Sequence, residues 1–230
     1  GTTVTITVKP NDGYELDKLT VTDKDGNRLP LSDKGNSKYT FTMPSGKVSV
    51  DAAFSKIETV SFRDVEQSDY YYDAVQWAVE KGITEGTSAD TFSPGASCTR
   101  AQVITFLWRA TGSPQPVSRT NPFTDVPSNA YYRDAVLWAV EQGITNGVSA
   151  TRFDPDATVT RGQMAALLYR TAGTPAVSGS SSFVDVGASA YYSKAVAWAY
   201  QNDIASGTGA NQFSPNAVCT RAQIVTFLYR

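Results

Sequence analysis

Hydrophobic and polar residues alternate along the first part of the chain. The alternation is clearest at residues 3–8, 19–22, 39–42 and 48–52. A period of two predicts strands that bury one face. Turn-forming triplets rich in Gly, Asn and Pro separate these segments at residues 25–27, 34–36 and 44–46. We therefore predict a small all-β antiparallel module over residues 1–56.

From residue 57 onward the hydrophobic spacing becomes helical and the sequence repeats three times. Each copy opens with Phe-x-Asp-Val, at Phe62, Phe123 and Phe183, which lie 61 and then 60 residues apart. A tryptophan-containing segment, a Gly-Ile-x-x-Gly loop, a Phe-x-Pro segment and a Thr-Arg-x-Gln segment follow in one register, with a weaker loop in the third copy. Such a register predicts one structural unit per copy, and we place the units at residues 57–116, 117–177 and 178–230.

Each copy is predicted to form a helix, a loop and a second helix. In the first helix of the first copy, Val75, Ala78 and Val79 form an apolar stripe, and Gly82 is placed to end the helix. The second helix begins with a capping box, because Thr99 occupies the N-cap and Gln102 the N3 position. Connectors at residues 111–116 and 172–182, rich in Gly, Ser and Pro, separate the copies.

The two cysteines, Cys98 and Cys219, directly precede the N-caps of the first and third copies. At this position the side chain packs on the N4 residue as a hydrophobic staple. Val159 fills the same position in the second copy. We therefore expect small buried hydrophobes rather than a disulfide or a reactive thiol.

The composition narrows the function classes. Of 230 residues, 41% are hydrophobic and 18% charged, which indicates a folded protein. The net charge of −2 offers no global field for nucleic acid or for an anionic membrane. The lack of histidine excludes Ser-His-Asp and Cys-His nucleophiles and the usual zinc ligand sets. We expect no metal, no cofactor and no membrane insertion, and we find no signal peptide or apolar run of 18 residues within this sequence.

An arginine recurs at the first position of every second helix, where the helix dipole disfavours positive charge. We call these the N1 arginines: Arg100, Arg161 and Arg221. One hypothesis is an ion pair with the motif aspartates Asp64, Asp125 and Asp185. The other is that the arginine and free helix N–H groups together bind a carboxylate. The two hypotheses are compatible, with the aspartate orienting the arginine.

Aromatic residues and glycines recur near the same positions. The groove tyrosines, expected to be partly exposed at the start of the first helix, are Tyr70, Tyr131 and Tyr191. The helix tryptophans, which fit either the core or a sugar-stacking surface, are Trp77, Trp138 and Trp198. The loop glycines, which fit either a turn with positive φ or a close backbone approach to a ligand, are Gly86, Gly147 and Gly207.

Together these motifs resemble the S-layer homology (SLH) domain, over residues 58–230. The resemblance implies an all-α domain of three helix-loop-helix repeats about a pseudo-threefold axis, with ligand grooves between adjacent repeats. It also implies a non-catalytic anchor at the surface of a Gram-positive cell, which binds secondary cell-wall polysaccharide, often through a pyruvylated N-acetylmannosamine. The cargo domains would lie in the same longer chain.

The resemblance assigns roles to the recurring residues. The N1 arginines would hold the pyruvate carboxylate, the motif aspartates would orient the groove and accept sugar hydroxyls, and the loop glycines would offer backbone groups. The groove tyrosines stand where the family usually has tryptophan. Gln102, Gln163 and Gln223 replace the motif glutamate, which preserves the capping box and removes a negative charge.

Residues 1–56 resemble the β-repeat modules of Gram-positive surface proteins, on the segments 8–23 and 39–54. This resemblance implies a spacer. Two alternatives to the anchoring function remain open at this point. One is a helical-repeat scaffold that binds protein partners, and the other is a glycosidase with paired carboxylates.

Overall fold

The computed structural model describes residues 1–11, 13–56, 61–179 and 181–230. The chain forms two compact units, residues 1–59 and 60–230, and each is described by itself. The predicted junction between residues 56 and 57 adjoins a stretch outside the described residues. Ser180, in the second predicted connector, also lies outside them.

The first unit consists of two small antiparallel sheets. The first has the strand order β1-β4-β3 and the second pairs β2 with β5. The strands are β1 (Thr3–Thr7), β2 (Tyr14–Thr22), β3 (Ser32–Asp33), β4 (Lys38–Thr42) and β5 (Ser49–Lys56). Val8, Val21 and Phe41 form its buried core. The predicted antiparallel strands are confirmed.

Two strands of this unit are longer than the alternation predicts. β2 begins at Tyr14, and its register against β5 shifts between Leu16 and Lys18. β5 continues to Lys56 although nearly all its residues are exposed. In β2 the bulge shifts the alternation of hydrophobic and polar residues by one position. In β5 both faces are exposed, so no alternation is needed. The period of two is therefore lost in these parts of the two strands.

The second unit contains six helices in its described part. They are α1 (Tyr72–Glu80), α2 (Arg100–Ala110), α3 (Arg133–Glu141), α4 (Arg161–Thr171), α5 (Ser193–Gln201) and α6 (Arg221–Tyr229). All three predicted capping boxes are confirmed, with both hydrogen bonds present at Thr99, Thr160 and Thr220. Gly82 follows α1 with φ 65°, as a left-handed helix stop requires.

Each first helix packs mainly on the second helix of a different copy. α3 packs on α2, α5 packs on α4, and α1 packs on α6, which belongs to the last copy. Isolated bridges join the copies in the same way, pairing Thr99 with Thr158, Thr160 with Val218 and Ser97 with Thr220. The three copies therefore contact one another in a closed cycle.

The cysteines lie where these copies meet. Cys98, Val159 and Cys219 are fully buried, and the two thiols are free. The Val159 N–H donates to the Cys98 carbonyl at 3.3 Å, and the Cys219 N–H donates to the Val159 carbonyl at 2.8 Å. Burial raises the pKa of Cys98 to about 11 and that of Cys219 to about 12. The prediction of buried, unbridged cysteines is confirmed.

None of the helices in the described stretches combines the length and the apolar character needed to cross a membrane.

Candidate ligand-binding grooves

Three grooves of the same design lie on the helical unit. Each contains an N1 arginine from one copy, the loop and second helix of another copy, and a groove tyrosine from the third. We name them after the arginine. The Arg100 groove, of about 290 Å³, takes its tyrosine, Tyr191, from the third copy. The Arg161 groove, of about 520 Å³, takes Tyr70, and the Arg221 groove, of about 210 Å³, takes Tyr131.

The N1 arginines are held at the grooves by the Phe-x-Pro segment of the copy they face. The Nε of Arg100, Arg161 and Arg221 donates to the carbonyls of Phe153, Phe213 and Phe92, each at 2.9 Å. Each guanidinium also lies over the ring of the same phenylalanine, with Cζ 4.7 to 4.9 Å from the ring centroid. The cation–π contact and the hydrogen bond fix where the positive charge lies.

The helix N–H groups that were expected to share an anion with the arginine are not free. In α2, the Arg100 N–H donates to the Ala157 carbonyl at 2.8 Å and the Ala101 N–H to the Pro155 carbonyl at 3.0 Å. The next two N–H groups donate to the N-cap Thr99. The other second helices repeat the pattern. This part of the sequence-based hypothesis is wrong, because the neighbouring copy supplies the acceptors, and an anion would have to be met by side chains.

The motif aspartates do not form the predicted ion pairs with the N1 arginines. The Asp64 carboxylate accepts the N–H groups of Phe92 and Ser93, each at 2.8 Å, and Asp125 and Asp185 do the same in their copies. Among the described residues the ion pair made by a motif aspartate joins Asp125 to the exposed Arg152, at 3.7 Å. The aspartates instead hold the Phe-x-Pro segment in place, and they do not line the grooves.

These contacts set the ionisation of the aspartates. Desolvation by burial raises the pKa of Asp64, Asp125 and Asp185, but the backbone N–H donors lower it by more, so the net pKa lies below the ordinary value of 3.8. The carboxylates are therefore charged at neutral pH.

The groove tyrosines lie at the grooves, as predicted from their position. Tyr70, Tyr131 and Tyr191 are each 64% exposed. Each ring meets the next tyrosine edge-on, with centroids 4.9 to 5.0 Å apart. The second tyrosine packs against the core. An exposed aromatic face with a fixed orientation is therefore present in every groove.

The helix tryptophans are not among the residues that line the three grooves, so of their two sequence-based interpretations the structure favours packing on the core. Trp138 is 6% exposed, and Trp77 and Trp198 pack partly buried against the core. The Trp77 ring lies 5.6 Å from that of Tyr229, and the Trp198 ring lies 5.6 Å from that of Tyr169. Their helical spacing puts them on the face that joins a first helix to the second helix of another copy.

The loop glycines line the grooves, and close internal packing also requires them. A Cβ on Gly86, Gly147 or Gly207 would lie 2.5 to 2.8 Å from a ring carbon of the motif phenylalanine Phe62, Phe123 or Phe183. A backbone carbonyl oxygen, of Thr91, Arg152 or Gln212, lies at least as close to each Cβ, so no larger residue fits without displacing both the ring and the backbone.

The sequence reasoning missed a second arginine in every groove. Arg109, Arg170 and Arg230, which we call the terminal arginines, end the second helices or follow them and line the Arg221, Arg100 and Arg161 grooves. Arg109 and Arg170 donate from Nη1 to the carbonyls of Ile83 and Ile144, at 3.1 and 3.0 Å. Their regular spacing, nine residues after each N1 arginine, was visible in the sequence. Gln102, Gln163 and Gln223 also line the grooves, in addition to capping the helices.

Comparison with protein families matches both units. The model of the S-layer homology domain matches residues 61–104, 122–165 and 182–225, more than half of the chain. The model of the divergent InlB B-repeat domain matches residues 1–58.

Several curated proteins are similar to this chain. A surface-layer 125 kDa protein of Lysinibacillus sphaericus is 32% identical over 171 residues, which cover 71% of this chain and 14% of that protein. An endoglucanase of Bacillus sp. strain KSM-635 is 36% identical over half of this chain and 12% of its own length. The S-layer protein sap of Bacillus anthracis is 28% identical over 82% of this chain and 23% of its own length. The chain thus spans less than a quarter of each of these relatives.

Proposed function

The chain belongs to the S-layer homology domain family, and from this membership we propose that its helical unit anchors a larger protein non-covalently to the polysaccharide of the cell wall. The localisation at the cell wall or cell surface follows from the family and from the S-layer relatives. The observation that carries the proposal is the groove itself. An N1 arginine, a terminal arginine and an exposed tyrosine, recruited from all three copies, converge there.

The ligand that suits this chemistry is an anionic sugar. Two guanidinium groups favour a carboxylate, which arginine binds through paired N–H donors. The exposed tyrosine ring suits the apolar face of a pyranose. A pyruvylated N-acetylmannosamine unit of a secondary cell-wall polysaccharide combines both features. The arginines would hold the ketal carboxylate, and the tyrosine would pack on the ring.

The proposed task is binding without catalysis. Most glycosidases use two carboxyl groups at the cleaved bond. The motif aspartates, the candidates for that role, each accept two backbone N–H groups away from the grooves. Three sites on one frame would instead add their affinities through the polymer, which suits an anchor.

We also propose how the chain is divided into an anchor and a spacer. Residues 57–116, 117–177 and 178–230 would be three repeats about a pseudo-threefold axis, which the closed cycle of helix contacts supports. Residues 1–56 would be a spacer between the anchor and cargo domains. Because the relatives include S-layer proteins and polysaccharide-degrading enzymes, a protein of either kind is the proposed cargo.

A pull-down with purified Gram-positive cell walls tests the anchoring proposal. The chain should sediment with intact walls and stay in solution after the secondary polysaccharide has been extracted. Replacing Arg109, Arg170 and Arg230 with glutamine should weaken sedimentation, because each groove loses a positive charge. The matched control replaces the exposed Arg63, Arg119 and Arg152, which lie outside the grooves.

The outcomes separate this proposal from its alternative. Equal binding to extracted walls would contradict the polysaccharide ligand. Equal loss in both triple variants would indicate nonspecific charge attraction. Circular dichroism checks that the helices are intact in each variant. Binding to wall proteins but not to the polymer would favour a protein-interaction scaffold.

A further inference from the structure

The three grooves share one design, but their N1 arginines are not covered equally. Arg161 lies between two rings, with Cζ 4.7 Å from the centroid of Phe213 and 5.4 Å from that of Phe227. Arg221 lies in the same way between Phe92 and Phe106, at 4.7 and 5.5 Å.

Arg100 has a ring on one side. Its Cζ lies 4.9 Å from the centroid of Phe153, and the position that holds Phe227 or Phe106 in the other grooves is Leu167. This difference shows in the burial, since Arg161 and Arg221 are 4% exposed whereas Arg100 is only half-buried. The Arg100 guanidinium therefore lacks a second aromatic neighbour and is more exposed than the other two N1 arginines.

The guanidinium of Arg100 also makes fewer hydrogen bonds to protein than those of Arg161 and Arg221. Arg161 Nη2 donates to the Ser206 carbonyl at 2.9 Å, and Arg221 Nη2 donates to Thr84 Oγ1 at 3.0 Å. Among the described residues, the side chain of Arg100 donates only from Nε. No buried side-chain nitrogen or oxygen in the described part of the chain lacks a partner, so the terminal nitrogens of Arg100 must be reached by solvent. An anion could bind them without displacing a protein acceptor.

The grooves also differ in the residue that precedes the loop glycine, which is acidic in one groove and neutral in the other two. It is Glu85 in the Arg221 groove, Asn146 in the Arg100 groove and Ser206 in the Arg161 groove. The Glu85 carboxylate repels an anion in the Arg221 groove, and at short range this repulsion is comparable to the attraction of one arginine. The Asn146 amide instead offers two neutral N–H donors.

We propose that the Arg100 groove is the primary site for the anionic sugar, that the Arg161 groove binds it more weakly, and that the Arg221 groove binds it least. This ranking rests on the anionic ligand of the proposed function. In the Arg100 groove the two terminal nitrogens of Arg100 take the carboxylate, Asn146 and Arg170 line its approach, and Tyr191 packs on the sugar. In the Arg161 groove the anion competes with the Ser206 carbonyl for Nη2 of Arg161.

Titration calorimetry on the whole chain tests the ranking. The probe is the methyl glycoside of pyruvylated N-acetylmannosamine, with the unpyruvylated glycoside as its control. The expected wild-type result is one strongest site, dependent on the pyruvyl group. Asn146→Glu should weaken that site by roughly tenfold or more, since it copies the acidic residue of the Arg221 groove. Asn216→Glu, an exposed change outside the grooves, is the charge-matched control and should leave affinity unchanged.

Two substitutions test whether the second aromatic ring beside the N1 arginine weakens ligand binding. Leu167→Phe should close the Arg100 groove and weaken the strongest site. Phe227→Leu should open the Arg161 groove and strengthen its binding, which adds a second detectable site of lower affinity than the first. A misfolded variant would lose binding, so a gained site cannot result from misfolding. Thermal unfolding checks that each variant is folded. Glu85→Gln should strengthen binding at the Arg221 groove.

Different results contradict different claims. Three equal sites in the wild type, or unchanged affinity in both Asn146→Glu and Leu167→Phe, would overturn the ranking and leave the anionic ligand standing. Binding that ignores the pyruvyl group, or no binding of the probe by a chain that still sediments with the wall polymer, would overturn the anionic ligand and the ranking with it.

Discussion

Replacing three glycines one at a time separates two physical reasons for glycine in the loops. Gly143→Ala tests backbone strain alone, because Gly143 has φ 66° and no atom lies within 4 Å of its missing Cβ. Gly207→Ala tests close packing alone, because Gly207 lies outside the left-handed region and a Cβ there would lie 2.5 Å from the Gln212 carbonyl oxygen and 2.8 Å from the Phe183 ring. Gly147→Ala combines the two, with φ 77° and a Cβ that would collide with the Arg152 carbonyl oxygen and lie 2.5 Å from the Phe123 ring.

The magnitudes follow from these geometries. A left-handed alanine costs about 1–2 kcal/mol, and overpacking a buried position costs about 1–3 kcal/mol. Gly143→Ala should therefore lower the free energy of unfolding by about 1–2 kcal/mol and Gly207→Ala by about 1–3 kcal/mol. Gly147→Ala should lower it by about 2–5 kcal/mol. For a unit of this size the last value corresponds to a Tm lower by roughly 4–20 °C.

Tryptophan fluorescence during urea and thermal unfolding measures these changes. It reports on the helical unit, because Trp77, Trp108, Trp138 and Trp198 all lie there. If Gly147→Ala is no more destabilised than Gly143→Ala, the close approach of residue 147 to the Phe123 ring and the Arg152 carbonyl does not restrict the loop. If Gly207→Ala is as stable as the wild type, the packing argument fails in the third copy as well.

Three further predictions concern stability and thiol reactivity. Thermal melts from pH 7 to pH 2 should show a Tm that the motif aspartates leave nearly constant down to about pH 5, roughly one unit above the unfolded pKa of aspartate. Below that pH the free energy of unfolding should fall as the pH drops through the lowered folded pKa values of these aspartates. A pH-independent Tm would contradict this. Thr160→Ala should cost about 1 kcal/mol by removing a capping box, with the exposed Thr120→Ala as its control in urea unfolding; equal stability would show that the box contributes nothing. Cys98 and Cys219 should react with a thiol reagent only when urea unfolds the chain, because both are buried with raised pKa values; rapid labelling of the native protein would refute their burial.

Local spacing was enough to predict the elements and the starts of the second helices. The three capping boxes could be predicted because Thr99 and Gln102 interact within one turn of helix. The buried cysteines could be predicted because valine fills the same position in the second copy. The strand ends at Tyr14 and Lys56 could not, since a bulge and an exposed edge remove the alternation.

The roles of the recurring residues were harder to predict, because several roles require the same residue at the same position. The motif aspartates were predicted to meet the N1 arginines, but they bind backbone N–H groups 28 and 29 residues away in sequence. The helix tryptophans fitted both a core and a binding surface, and the structure places them in the core. A local sequence pattern shows which side chain is present at a position, but it does not determine which distant residue that side chain contacts.

The sequence by itself determined that there are three copies, where their helices begin, and which residue types recur in each. Only the tertiary structure decided that every groove combines an arginine, a loop and a tyrosine from three different copies, as when Arg221 reaches Phe92 across 129 residues. The sequence could not predict these partners, because each copy carries the same local pattern and would form the same helices whichever copy it contacted. The closed packing of α1 against α6, which only long-range burial can drive, selects the partners.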